Sequence, residues 1–111
     1  MIKPIPRRKL PNKVVYKAYL GNNGEGDTWN TPTTLTYVKI EDLKRFTYSD
    51  KGRELVGSAI MFYDLVSSTG LINEPTINSK IEFNNREYRI VDIEVLLADS
   101  STPHHYEIML K

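Results

Sequence analysis

Short runs of β-branched, aromatic and aliphatic residues recur along this chain, each closed by glycine, asparagine, serine or proline, and nowhere do apolar residues keep a helical spacing for ten residues or more. Without amphipathic helices the core has to be built from strands. Runs of this length at this spacing predict an all-β fold, a small single-domain barrel or sandwich of about five to seven short antiparallel strands.

The clearest local signal is SKIEFNNREYRIVDIEV (79–95). Asparagine tolerates the left-handed backbone that a two-residue type I′ turn demands, so Asn84-Asn85 is the expected hairpin tip. That register sets Ile81 opposite Tyr88 and Glu82 opposite Glu87, with Ile81, Phe83, Tyr88 and Ile90 on one face. Because Glu82 then faces Glu87, a longer loop that includes Arg86 stays open as an alternative. After Ile90 the apolar residues change phase to Val91, Ile93 and Val95, which predicts a bulge or a barrel corner.

Other runs are less regular. KVVYKAY (13–19) ends at GNNGEGD, read as a seven-residue loop with three glycines. In TTLTYVKIE (33–41), Val38 and Ile40 share a phase with Thr34 and Thr36. ELVGSAIMFYDL (54–65) is almost free of charge, which predicts a strand buried on both faces with Gly57 at a bulge. HHYEIMLK (104–111) puts His104, Tyr106, Ile108 and Leu110 on the inward phase, and His105 with Glu107 on the outer one.

With 111 residues the chain is long enough for one core without metal or disulfide staples, and 40% hydrophobic with 26% charged residues is ordinary globular usage. No apolar run approaches the roughly 18 residues of a membrane span. The opening MIKPIPRRKL does not read as a secretory signal, because no continuous apolar segment follows its charges. The chain has no cysteine, which excludes thiol catalysis, thiolate metal sites and disulfides.

Charge is unevenly spread. The first 20 residues hold six cations (Lys3, Arg7, Arg8, Lys9, Lys13, Lys17) and no acid, whereas the other 91 hold nine cations and 14 acids. Three of the six prolines, Pro4, Pro6 and Pro11, stiffen the same stretch. Residues 1–12 therefore read as an extended basic arm, with the barrel domain over 13–111. Such an arm suits an acidic partner.

Chemistry is sparsely signalled. Both histidines, His104 and His105, sit where a loop enters the last strand. His105 and Glu107 supply at most two ligands on one face, with Asp99 in the preceding loop as the only nearby third, short of a zinc set. GNNGEGD lacks the Lys-Ser/Thr of a phosphate loop and the closing acid of a calcium loop. Trp29 is expected to plug the core, as are most of the seven tyrosines. No catalytic, cofactor-binding or metal-binding residue is expected, and no small-molecule substrate or membrane partner.

The opening KPIPRRKLPNKVVYK, the segments WNTPTTLTYVKIE and YSDKGRELVGSAIMFYD, the hairpin SKIEFNNREYRIVDIE and the ending PHHYEIMLK, in that order, resemble the small minor capsid proteins of head–tail gene clusters in tailed phages and prophages of Gram-positive bacteria. The resemblance spans nearly the whole chain. It implies a head-completion, stopper-type connector: a small β-barrel, working as a homo-oligomeric ring beneath portal and adaptor proteins, that helps retain double-stranded DNA and docks the tail. Its place would be the virion neck, after synthesis in the host cytoplasm. On that reading Lys3, Arg7, Arg8 and Lys9 are the contacts of an assembly arm. The segment FTYSDKGRE (46–54) is the candidate channel loop, with Lys51 and Arg53 near its tip and Lys44 and Arg45 at its base facing phosphates. The alternative is a nucleic-acid-binding module on an oligonucleotide-binding-like barrel with a basic N-terminal arm.

Overall fold

The computed structural model describes residues 4–42, 47–49, 52–54, 59–97 and 103–111. Its strands are β1 (Asn12–Lys17), β2 (Tyr19–Asn22), β3 (Asp27–Trp29), β4 (Thr33–Asp42), β5 (Thr47–Ser49), β6 (Gly52–Glu54), β7 (Ala59–Asp64), β8 (Lys80–Phe83), β9 (Arg86–Leu97) and β10 (Pro103–Leu110). Six of them close an antiparallel barrel in the order β1-β4-β7-β10-β9-β8, while β2-β3 and β5-β6 form separate two-stranded hairpins. The all-β barrel expectation holds. A single 3-10 turn, Arg7–Lys9, interrupts the arm.

The core is the set of inward positions along these strands: Val14 and Tyr16, Leu35 and Val38, Ala59, Met61 and Tyr63, Ile81, Tyr88 and Ile90, Tyr106, Ile108 and Leu110. Fully burying one such side chain stabilises the fold by about 1.5–3 kcal/mol, so closing the barrel is driven mainly by this lining. The β8–β9 hairpin has the two-residue tip: Phe83 pairs with Arg86, and Asn84 and Asn85 take φ of 52° and 63°. The longer loop is thereby excluded. Strand β9 also turns the expected corner. Its first residues pair with β8; from Ile90 onward it pairs with β10, whose register slips between Met109 and Leu110 and leaves Val91 as the extra residue.

Four expectations are corrected. Leu35 and Val38 are both buried although three apart, which a period-two strand does not permit. Tyr37 sits between them at φ 57° as an extra residue, since β1 pairs Lys13 with Thr36 and Asn12 with Val38. The bulge moves the inward phase from Thr34 and Thr36 to Leu35, and left-handed backbone at a tyrosine costs about 1–2 kcal/mol. Two hydrogen bonds from distant parts of the sequence offset it: Asn12 Oδ1 accepts the Ile40 N–H at 2.9 Å, and Ser68 Oγ donates to the Tyr37 carbonyl.

Strand β7 is not buried on both faces, because Ile60 and Phe62 are only half-buried between Ala59, Met61 and Tyr63; Gly57 lies outside the described residues. The first run breaks at Ala18, and GNNGEGD is not wholly loop: Gly21 and Asn22 belong to β2 and Asp27 to β3. Buried Ser79 stitches the break, its Oγ accepting the Tyr19 N–H at 2.9 Å. Finally, Trp29 is a surface residue rather than a core plug, for reasons given below.

Candidate functional site

From Pro4 onward the basic arm lies on its own barrel. The carboxylate of Asp64, at the end of β7, accepts the Ile5 N–H at 2.9 Å through Oδ2, and the Val66 and Ser67 N–H groups at 2.8 Å through Oδ1. Ser67 Oγ donates to the Ile5 carbonyl at 2.6 Å, and Arg7 Nε donates to the Ser67 carbonyl at 3.1 Å. The Arg7 guanidinium lies 4.1 Å from the centre of the Tyr37 ring, within cation–π range, and Leu10 is buried. Asp64 is fully buried. Burial pushes its carboxyl up, but the three backbone donors, with a smaller contribution from His104, outweigh that and hold it below the ordinary carboxylate range.

Of the arm cations, Arg7 is thus engaged in cis, while Arg8 and Lys9 are exposed and form no ion pair among the described residues. Lys3 lies outside the described residues, as do Lys44, Arg45 and Lys51. Arg53 belongs to β6, where its backbone pairs with Tyr48 of β5. The segment proposed as a channel loop therefore contains a hairpin of its own, Thr47 facing Glu54 and Ser49 facing Gly52, inserted between barrel strands β4 and β7.

The histidines come together because His104 is a bulge: Pro103 pairs with Leu97 and His105 with Leu96, leaving His104 out of step with β9. Their Nδ1 atoms lie 2.7 Å apart, the rings meet edge-on, and His105 Nε2 lies 3.1 Å from Glu107 Oε2. Among the described residues no three His, Cys, Asp or Glu side chains gather in a way that could hold a metal ion, and Asp99 lies outside them.

Sequence reasoning missed two clusters. One is the Asp64 latch, for which DLVSS was a usable sign: an aspartate with serines three and four residues on favours side-chain-to-backbone turns. The other surrounds Trp29. Its Nε1 donates to the Asn78 carbonyl at 2.9 Å, Lys80 Nζ lies 3.7 Å and the Arg89 guanidinium 4.8 Å from its ring centre, and Tyr19 packs at 5.8 Å. Two cations and a main-chain acceptor hold the indole at the surface. Tyr19 donates to Asp27 Oδ1 at 2.9 Å, a bond that raises its hydroxyl pKa. No sequence period relates β3 to β8 and β9, so this grouping was not legible.

A closed barrel whose prominent side chains fasten an arm, pin a hairpin and line a core has the build of a binding or assembly module. A family model described as "Minor capsid protein" matches residues 6–110, and the chain belongs to that family of phage virion structural proteins. No curated protein and no solved structure matches it.

Proposed function

We propose that this chain is a head-completion component of stopper type: a head–tail connector that forms a homo-oligomeric ring at the virion neck, below portal and adaptor, where it helps retain packaged double-stranded DNA and presents a face to the tail. Family membership supplies the virion role. The observation that carries the finer reading is the β5–β6 hairpin, an excursion whose sequence includes Lys51 and Arg53, inserted between two barrel strands and forming a sheet of its own. A ring that closes a DNA channel needs such an appendage on a rigid support, and functional segments are commonly loops held by a scaffold.

The test is charge reversal at Lys51 and Arg53. Heads completed with Lys51→Glu/Arg53→Glu chains should lose packaged DNA at least about tenfold faster than wild type, the loss being greatest at low salt, where phosphate contacts are strongest. Unchanged retention removes the channel role. Tight, salt-sensitive DNA binding by the free chain, with no association with heads, would favour the nucleic-acid module instead. The arm calls for a gentler change than deletion of residues 1–10, since that would also remove buried Leu10. Arg8→Glu/Lys9→Glu should lower joining of heads to tails while leaving thermal stability nearly unchanged.

A further inference from the structure

Strands β1 and β10 stand three places apart in either direction round the six-stranded barrel, on opposite sides of it. The outward residues of β1 are Lys13, Val15 and Lys17, since Val14 and Tyr16 face in. Lys13 and Lys17, like Arg8 and Lys9 of the arm that leads into β1, form no ion pair among the described residues.

The opposite side carries the reverse charge. On the outer surface of β7, β10 and β9, one row runs Phe62, Glu107, Glu94, and the next runs Ile60, Met109, Asp92. Three half-buried apolar side chains thus form a strip bordered by three carboxylates, around a shallow pocket of about 50 Å³. Glu94 and Glu107 stand directly opposite each other, a like-charge cross-strand pair that destabilises a sheet. Asp92 and Glu94 meet no cation among the described residues.

We infer that the acidic, apolar-centred face of β7-β10-β9 is the seat for the basic β1 and arm face of a second copy of this chain. Strands β1 and β10 lie on opposite sides of the barrel and the two surfaces differ, so the contact is heterologous, and repeating it head to tail closes a ring or runs on as a filament. Charge complementarity selects this occupant: among the described residues Arg8, Lys9, Lys13 and Lys17 meet no anion and Asp92 and Glu94 meet no cation, and the mutual repulsion of Glu94 and Glu107 is relieved when a neighbour's lysine or arginine enters between them. DNA is excluded from the acidic face by its own charge. The inference rests on the connector reading, and names the subunit contact of its ring.

The chain lacks cysteine, so introduced thiols are the only ones it carries. Particles assembled with Lys13→Cys/Glu107→Cys chains are treated with a bis-maleimide shorter than the molecule's smallest extent of 30 Å. A ladder of linked copies is expected, and no species above a dimer from either single variant. Lys9→Cys/Glu94→Cys repeats the test should the first pair impair folding. Adding Glu94→Lys should cut the ladder at least about tenfold, and further adding Arg8→Glu should restore it, as exchanged charges re-pair. Particles that contain the chain but give no ladder, or in which the thiols link only to a different virion protein, overturn the inference and leave the connector reading standing. Absence of the chain from particles overturns both.

Discussion

Two carboxylate sites lie on adjoining barrel strands, with His105 paired to Asp64 and Glu107 paired to Phe62. Asp64 is fully buried, yet the hydrogen bonds its carboxylate accepts from the arm and from its own turn all come from backbone N–H groups. Glu107 keeps 32% of its side chain exposed, lies 3.1 Å from His105 Nε2 and meets no lysine or arginine among the described residues, and faces Glu94 across the strand gap. The first carboxylate is consumed by the fold. The second is set against another carboxylate across the strands, an arrangement that costs stability. Burial alone does not separate the two roles; the partners do.

The largest test of that contrast is Asp64→Ala, which strips the acceptor from three N–H groups in part-buried hydrogen bonds. Leaving such donors unsatisfied costs about 1–3 kcal/mol each before water intervenes, so a loss of about 3 kcal/mol and a fall of roughly 10–20 °C in Tm are expected from calorimetry. The arm should loosen with it, read as faster amide exchange at Ile5. A Tm within about 2 °C of wild type would mean the latch is ornamental. Asp64→Asn sharpens the result. Its remaining carbonyl oxygen can still accept from Val66 and Ser67, but an amide nitrogen then faces the Ile5 N–H. Roughly half the loss is expected, with exchange accelerated at Ile5 and hardly at Ser67.

Acid should act through the same group. The folded carboxyl lies below its ordinary value. Its contribution is therefore fully present above the unfolded pKa of about 3.9 and disappears as pH falls through the lower, folded value. The gap in stability between wild type and Asp64→Asn should shrink as pH falls below about 4. A gap that instead grows below about pH 4 would contradict the assignment.

How much of this was legible from the residues depends on whether the controlling interaction is local. The Asn84-Asn85 tip, the slip at Val91 and the inward phase of Tyr106, Ile108 and Leu110 are set by neighbours in sequence, and each was readable as turn chemistry or alternation. The Tyr37 bulge was not, because TLTYVK alternates plausibly in two phases. What selects one is Asn12, 28 residues away from Ile40, together with Ser68. The arm could be read as proline-stiffened and basic, but not as latched, since its anchor Asp64 lies 59 residues from Ile5. Trp29 misled for the same reason. A lone tryptophan beside a loop is as compatible with a core as with a surface, and the cations that hold it outside come from β8 and β9.

The smallest effect discriminates best. Glu94→Gln removes one charge of the opposed pair without changing shape, so the free chain should gain about 0.3–0.5 kcal/mol, a rise of roughly 1–3 °C in Tm at low ionic strength that fades as salt screens the pair. A substitution that improves the fold would ordinarily be neutral or helpful to a structural protein. Here it should be harmful, because the same charge is needed to draw a neighbour's lysine or arginine onto the β9–β10 face, so cross-linking between copies should fall while Tm climbs. If Glu94→Gln instead destabilises the isolated chain, Glu94 and Glu107 do not repel across the strand gap, and the difference between the buried carboxylate and the exposed pair would reduce to exposure alone.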